Sequence, residues 1–458
     1  MDAIHLSHVV GALSHALDIT EGQPIGHSQR CCWIGMHVGL RIGLSPLDLS
    51  ELYYTLLLKD IGCSSNAARI CRLYLADDLS FKSEYKFVDT RLPEVLRFLI
   101  ANTARQSGMI ERLQTLVHIA RNGGEIAKEL IETRCQRGAD IARTMRFSEQ
   151  VAQGILDLDE HWNGTGQPLK KRGAEISLFA RIALLAQVAD VFFMRGGREA
   201  AIAEVVTRSG QWFDPQLATA FSEMAEDKVF WEVLAQDDLA THLARIEPAA
   251  FIREVNEDYL DDIAAGFAQV VDAKSPFTAG HSDRVSLFAD LIAEQLGYSP
   301  ERRRWLRRAA LLHDIGKLGV SNSILDKNGR PDDAEWAAIR RHPVLGESIL
   351  SKIDALRDTA IIAGAHHERL DGKGYPRGID AAAINLDTRI VTAADIFDAL
   401  TADRPYRKAM PASQAFNIMG KDVGTAIDPD CFNALERGFA RMENITAPVQ
   451  GSRPRIVA

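Results

Sequence analysis

At 458 residues with 46% apolar side chains, the chain has material for two or more domains with proper cores, and it is neither disordered nor fibrous. A net charge of -9 and a pI near 5.8 exclude a general binder of nucleic-acid polymer, which needs a clustered basic surface to neutralise phosphates. No run of about 18 apolar residues occurs and the start (Met1, Asp2, His5) lacks signal-peptide character, so no membrane span and a cytoplasmic location are expected.

The six cysteines (Cys31, Cys32, Cys63, Cys71, Cys135, Cys431) form no C-x-x-C pair and read as reduced, mostly buried thiols. Periodic segments have helical spacing, such as Leu52, Leu56 and Leu57 before Asp60, or Val285, Phe288, Ile292 and Leu296 after His281. Alternating strand runs with hairpin turns are missing. The fold class expected is all-α, as two tandem helical domains.

In chain order, G-H-S-Q-R (26–30) is followed by Y-T-L-L-L-K-D-I-G (54–62), and much later G-H-S-D-R (280–284) by A-A-L-L-H-D-I-G (309–316). His27 and Asp60 lie 33 positions apart, as do His281 and Asp314. W-N-G-T-G-Q-P (162–168) then aligns with L-D-G-K-G-Y-P (370–376), and V-A-D-V-F (188–192) with A-A-D-I-F (393–397). Gly210 before Asp214 and Gly424 before Asp428 close the two copies. Five matches in one order mark a duplication.

Asp60 and Arg134 are 74 positions apart, whereas Asp314 and His342, at the matching places, are 28 apart, which puts an insertion of 46 residues around 75–120. The expected organisation is a first copy over 1–235, an acidic linker or connecting helix over 236–265, a second copy over 266–445 and a frayed tail over 446–458.

The second copy carries His281, His313, Asp314, His342, His366, His367 and Asp395, the donor types of a two-metal hydrolytic centre. Imidazole with carboxylate and no thiolate suits iron, manganese or zinc. Asp314, next to His313, is placed to bridge two ions. Asp395 lies in a segment apolar on nearly every face (Ile390, Val391, Ala393, Ala394, Ile396, Phe397), where a carboxylate must be paired or bind metal; the bland account is a salt bridge to a residue such as Arg389. Adjacent imidazoles such as His366 and His367 repel when protonated, so neutral metal ligands account for them better. His342, before Pro343, taken alone reads as structural. Lys317 reads either as a solvated cation or as a group that steadies a scissile phosphate. Arg302, Arg303, Arg304, Arg307 and Arg308 read as the wet face of a helix.

H-D-I-G-K (313–317), H-H-E-R-L-D-G-K-G-Y-P-R-G (366–378), A-A-D-I-F-D-A-L (393–400) and D-R-P-Y-R-K-A (403–409) together resemble the HD-GYP subgroup of the HD phosphohydrolases over about residues 272–440. The resemblance implies that His281, His313, Asp314 and Asp395 hold one metal while Asp314, His342, His366 and His367 hold the other, with iron or manganese as the two divalent ions. It also implies that Tyr375, Arg404 and Arg407 hold a nucleotide. Asp314, from its place between the ions, and Lys317, from its place beside them, are the residues expected to serve the reaction. Some relatives add a third metal through a glutamate where this chain has Phe277, so two ions are expected. The implied activity is metal-dependent hydrolysis of a cyclic dinucleotide, first of all cyclic di-GMP to pGpG or GMP. The alternatives are another nucleotide such as cyclic GMP-AMP, or a non-catalytic signalling adaptor. The first copy resembles the same fold but keeps only His27, Asp60 and Asp190, with Lys59, Arg134, Leu158 and Asp159 at other ligand places and Gln167 for Tyr375. It is expected to form a charge-neutralised pseudo-site without a catalytic metal pair, and to regulate, dimerise or meet a signalling partner.

Overall fold

The computed structural model describes residues 4–88, 92–104, 108–403 and 407–446; Arg404 and the tail beyond 446 lie outside the described residues. Among these, regular structure is helical throughout, with isolated bridges and no strand, so the chain is all-α. Among the described residues, no helix is long and apolar enough to cross a membrane. The six cysteines are unpaired, and all but Cys71 are buried.

Two compact units are formed, Met1–Gly280 with Leu312–Gly364, and His281–Leu311 with Ala365–Ala458. In the first unit, the helix Pro46–Leu58 starts on Ser45, whose Oγ accepts the Asp48 amide at 3.2 Å, with proline in the first turn. It ends at Lys59 and Asp60. The helix His27–Arg41 packs on it and on Leu178–Arg208, which is interrupted at Gly197 (φ 74°). His27 and Asp60 are buried as a result.

The insertion folds as the helices Asp78–Tyr85 and Leu92–Asn102 and the beginning of Met109–Thr144. Its apolar side chains form their own cluster, including Tyr74, Phe81, Leu99, Ile119 and Leu130. Asp78, fully buried, accepts hydrogen bonds from Ser321 Oγ (2.9 Å) and the Asn322 amide (2.8 Å). Lys274 lies 3.5 Å from the same carboxylate. The insertion is thereby tied to the segment just after D-I-G-K. Of the stretch expected to link the copies, 239–246 is helix and the acidic part enters the helix Glu257–Asp272, capped by Asn256.

One close approach recurs in both copies. A Cβ on Gly62 would lie 1.9 Å from the Arg134 carbonyl oxygen, and a Cβ on Gly316 would lie 1.9 Å from that of His342. Only glycine permits this contact. It makes Arg134 the structural counterpart of His342, 208 positions on, as the repeat implied.

In the second unit, the helices His281–Gln295, Leu386–Thr401 and Pro429–Thr446 pack around Phe397, which meets Phe288 edge to face at 4.8 Å and Phe439 at 5.2 Å. The wet-face reading of the arginines needs one correction. Arg308 is buried, at 2% exposure, because its side chain falls on the inner side of Pro300–Leu312 next to Ala309 and Ala310.

Candidate metal centre

Within the first unit, His313, Asp314 and His342 are all buried, and His342 and Asp314 come together through the Gly316 contact. His342 Nδ1 donates to the Ile339 carbonyl at 2.7 Å, which fixes the tautomer and leaves the Nε2 lone pair facing Asp314 Oδ1 at 3.3 Å. His313 Nε2 is 3.4 Å from Asp314 Oδ2. An imidazole lone pair and a carboxylate at such range repel unless a cation joins them, so this donor set fits a metal. Lys317 places its ammonium directly on Asp314, which answers the alternative of a solvated lysine.

Within the second unit the same build recurs. His281 Nδ1 donates to Asp398 at 2.7 Å, and its Nε2 faces Asp395 Oδ1 at 3.5 Å. Asp398, fully buried, is also held by Arg284 and titrates below the ordinary carboxylate range: burial opposes this, and the hydrogen bonds from His281 and Arg284 outweigh it. A carboxylate behind a ligating histidine orients the ring and raises its basicity. Asp398→Asn should therefore weaken metal affinity roughly 10–100-fold; chelator competition measures this, and an unchanged affinity would remove Asp398 from the site.

Asp395 is 7% exposed; the bland partner considered for it, Arg389, is engaged with Asp428 instead at 2.9 Å. His366 and His367 lie with ring centroids 4.2 Å apart, and Tyr375 stacks on His367 at 4.8 Å. Thr392 Oγ1 holds the His366 carbonyl at 2.8 Å. Arg407 donates to the Leu400 and Ala399 carbonyls, so its guanidinium closes the end of Leu386–Thr401, a use the sequence did not foretell.

Two functional residues were missed by sequence reasoning. Asp398 is one, and Glu368 is the other: its buried carboxylate accepts the amides of Arg377 (2.7 Å) and Ile379 (3.2 Å), pinning the G-Y-P loop. Both have counterparts in the first copy, 208 positions earlier, where Glu160 accepts from Leu169 and Lys171. Agreement between the copies was the available signal.

That offset also corrects the alignment of Asp190 with Asp395. Asp190 receives His27 Nδ1 at 2.6 Å and Arg30 Nε at 2.6 Å, the arrangement of Asp398 with His281 and Arg284. The residue 208 positions before Asp395 is Gln187. The first copy therefore retains only two of the seven ligand types, His27 and Asp60.

Between these two stands Lys59, its ammonium 3.1 Å from His27 Nε2 and in direct contact with Asp60. Burial works against the charged lysine, but Asp60 outweighs it and raises its pKa; His27, desolvated and next to Lys59, is lowered to about 4. Arg134 pairs with Asp159 at 2.9 Å, so the counterparts of His342 and His367 form an ion pair. His27, Cys31 and Asp190, and likewise Glu21, Asp60 and Cys63, approach closely enough for ligation. Each carboxylate among them is already matched by Arg30, Lys59, Lys82 or Lys86.

A model of the HD domain family matches the chain twice, at residues 89–217 and 267–431. The chain is 54% identical over 434 residues to the 3′3′-cGAMP-specific phosphodiesterase 3 of Vibrio cholerae serotype O1 (strain ATCC 39315 / El Tor Inaba N16961), covering 95% of this chain and 94% of that one. It is 39% identical over 198 residues to the cyclic di-GMP phosphodiesterase response regulator RpfG of Xanthomonas campestris pv. campestris (strain 8004), covering 43% and 52%. Among solved structures, a cyclic GMP-AMP specific phosphodiesterase of V. cholerae superposes with a TM-score of 0.66 at 48% identity, over 96% of this chain and 98% of that one.

Proposed function

Because the chain belongs to the HD domain family and is a metal-dependent cyclic dinucleotide phosphodiesterase, we propose that its substrate is 3′3′-cyclic GMP-AMP. This replaces cyclic di-GMP, the first expectation from the motifs, by the alternative held beside it. One observation carries the choice: the relative similar along nearly the whole chain is named for 3′3′-cGAMP. RpfG, named for cyclic di-GMP, matches over less than half of it.

The seven ligands proposed are His281, His313, Asp314, His342, His366, His367 and Asp395, for two ions of iron or manganese. When bound, the metals lower the pKa of water and neutralise charge developing on the phosphate. The chain's own residues do the rest. Ile339 and Asp398 hold His342 and His281 in the tautomer whose Nε2 can ligate. Glu368 keeps the 372–378 loop in place, and the loop sets Tyr375 against His367, where its ring can border the nucleotide. Lys317 offsets the charge of Asp314 and supplies a cation for the scissile phosphate. Water adds at phosphorus, the bond to the 3′ oxygen breaks, that oxygen takes a proton, and a linear 5′-phosphorylated dinucleotide results.

The first copy, with ion pairs at ligand places, is proposed as a metal-free regulatory domain, residues 1–235 joined through 236–265 to the catalytic copy at 266–445. For the substrate, parallel assays with iron and with manganese should show 3′3′-cyclic GMP-AMP turned over at least about tenfold faster than cyclic di-GMP, about 1.4 kcal/mol in the transition state. Equal or faster hydrolysis of cyclic di-GMP would restore the first expectation.

A further inference from the structure

The first copy contains a cavity of about 330 Å³, open on one side, lined by Arg134, Asp159 and Gln187, the counterparts of the proposed ligands His342, His367 and Asp395. Gln167, the counterpart of Tyr375, lines it too. No part of the proposed hydrolysis uses this space.

Its charges do not cancel. Lys82, Lys86 and Arg134 face it, against Glu21 and Asp159. Arg134 is matched by Asp159. Lys82 lies 3.3 Å from Glu21 and donates to the Thr20 and Cys63 carbonyls. Lys86 is left sharing Glu21 at 3.2 Å, with no aligned hydrogen bond from its buried Nζ, so the cavity holds one cation in excess. His161, on the wall, is held near pKa 4 by burial and adds no charge at neutral pH.

The other polar atoms ask for donors. Asn66 Oδ1 and Gln187 Oε1 belong to side chains only 5% and 9% exposed, and neither meets a hydrogen-bond donor in the protein; Gln167 Oε1 is in the same state. Asn66 has spent its amide nitrogen on the Leu130 carbonyl at 2.6 Å. Buried acceptors of this kind normally have partners. Between them the walls are apolar, with Ile70, Tyr74, Ile131, Leu184 and Val191. A cation is excluded by the surplus lysine. What fits is a flat heteroaromatic ring with N–H groups on its edge, joined to an anionic group.

We infer that this cavity binds a purine mononucleotide, its phosphate at Lys86 and its base edge at Gln187, Asn66 and Gln167. The volume is near the lower end of the roughly 300–1,000 Å³ of small-molecule sites, which suits one nucleotide and not a cyclic pair. The wall helix Asp78–Tyr85 also carries the Asp78 anchor to Ser321 and Asn322, so the occupant would sit one helix away from the segment following Asp314.

The test is calorimetric titration of GMP and of AMP into the full-length Asp314→Ala protein, metal-free, so that binding at the metal centre does not contribute. One site per chain is expected for at least one of the two, weakened at least about tenfold by Lys86→Ala and likewise by Gln187→Leu. Glu21 keeps Lys82 as a partner when Lys86 is removed, so the Lys86→Ala variant should fold even if Gln187→Leu does not. No binding into the millimolar range, binding undiminished in Lys86→Ala, or inorganic phosphate binding as tightly as the nucleotides would overturn the inference. The titration contains no cyclic dinucleotide, so its failure leaves the substrate proposal untouched.

Discussion

Asp314→Ala should abolish hydrolysis and empty both metal positions. Asp314 belongs to both proposed ligand sets, and in the first unit it already faces two imidazole Nε2 atoms, of His313 at 3.4 Å and of His342 at 3.3 Å. Removing it would take away the carboxylate proposed to serve both ions, and with the ions would go the water activation and the charge neutralisation they would supply. Without metals, turnover should fall by at least about 10⁴-fold, the scale set by losing an essential catalytic group. Elemental analysis of anaerobically purified protein should give close to two ions per chain for the parent and close to none for the variant. Two retained ions with normal turnover would refute the assignment, and three ions in the parent would reveal a ligand that makes up for Phe277.

Asp60→Ala, at the matching place in the first copy, should do the opposite: metal content stays unchanged while stability falls. Asp60 and Lys59 are almost fully buried, and their contact offsets the cost of keeping an ammonium out of water. The other carboxylates around Lys59 and Asp60 are already engaged, Asp190 by His27 and Arg30, Asp18 by the Ser28 amide and hydroxyl, and Glu21 by Lys82 and Lys86. Breaking a buried pair by deleting one partner costs about 3–5 kcal/mol. Chemical denaturation should show a loss of that size in the transition that includes the first copy. A double variant, Lys59→Met with Asp60→Ala, should recover much of it, since two matched apolar groups leave no orphaned charge. A loss below about 1 kcal/mol in Asp60→Ala would mean that the pair is not the support described.

The duplication, the helical class and the donor set of the second copy were legible in the amino-acid sequence because they depend on local order: motif spacing, 3.6-residue periodicity and residue type. So was the exchange of His313 for Lys59 and of His342 for Arg134, which the shared glycine contacts at Gly62 and Gly316 bear out. The tertiary structure alone decided three matters. It assigned Asp190 to the role of Asp398 and Gln187 to the place of Asp395; three residues along a helix bring the chain back to nearly the same face, so an apolar segment with one aspartate aligns almost equally well one turn out of register. It turned Arg407 inward to backbone carbonyls, and it tied Asp78 to Ser321 and Asn322. The cavity at Lys82 and Lys86 was likewise invisible in one dimension. Its walls come from segments scattered from Glu21 to Trp212, and only packing determines which charges and amide oxygens finish facing one another across it.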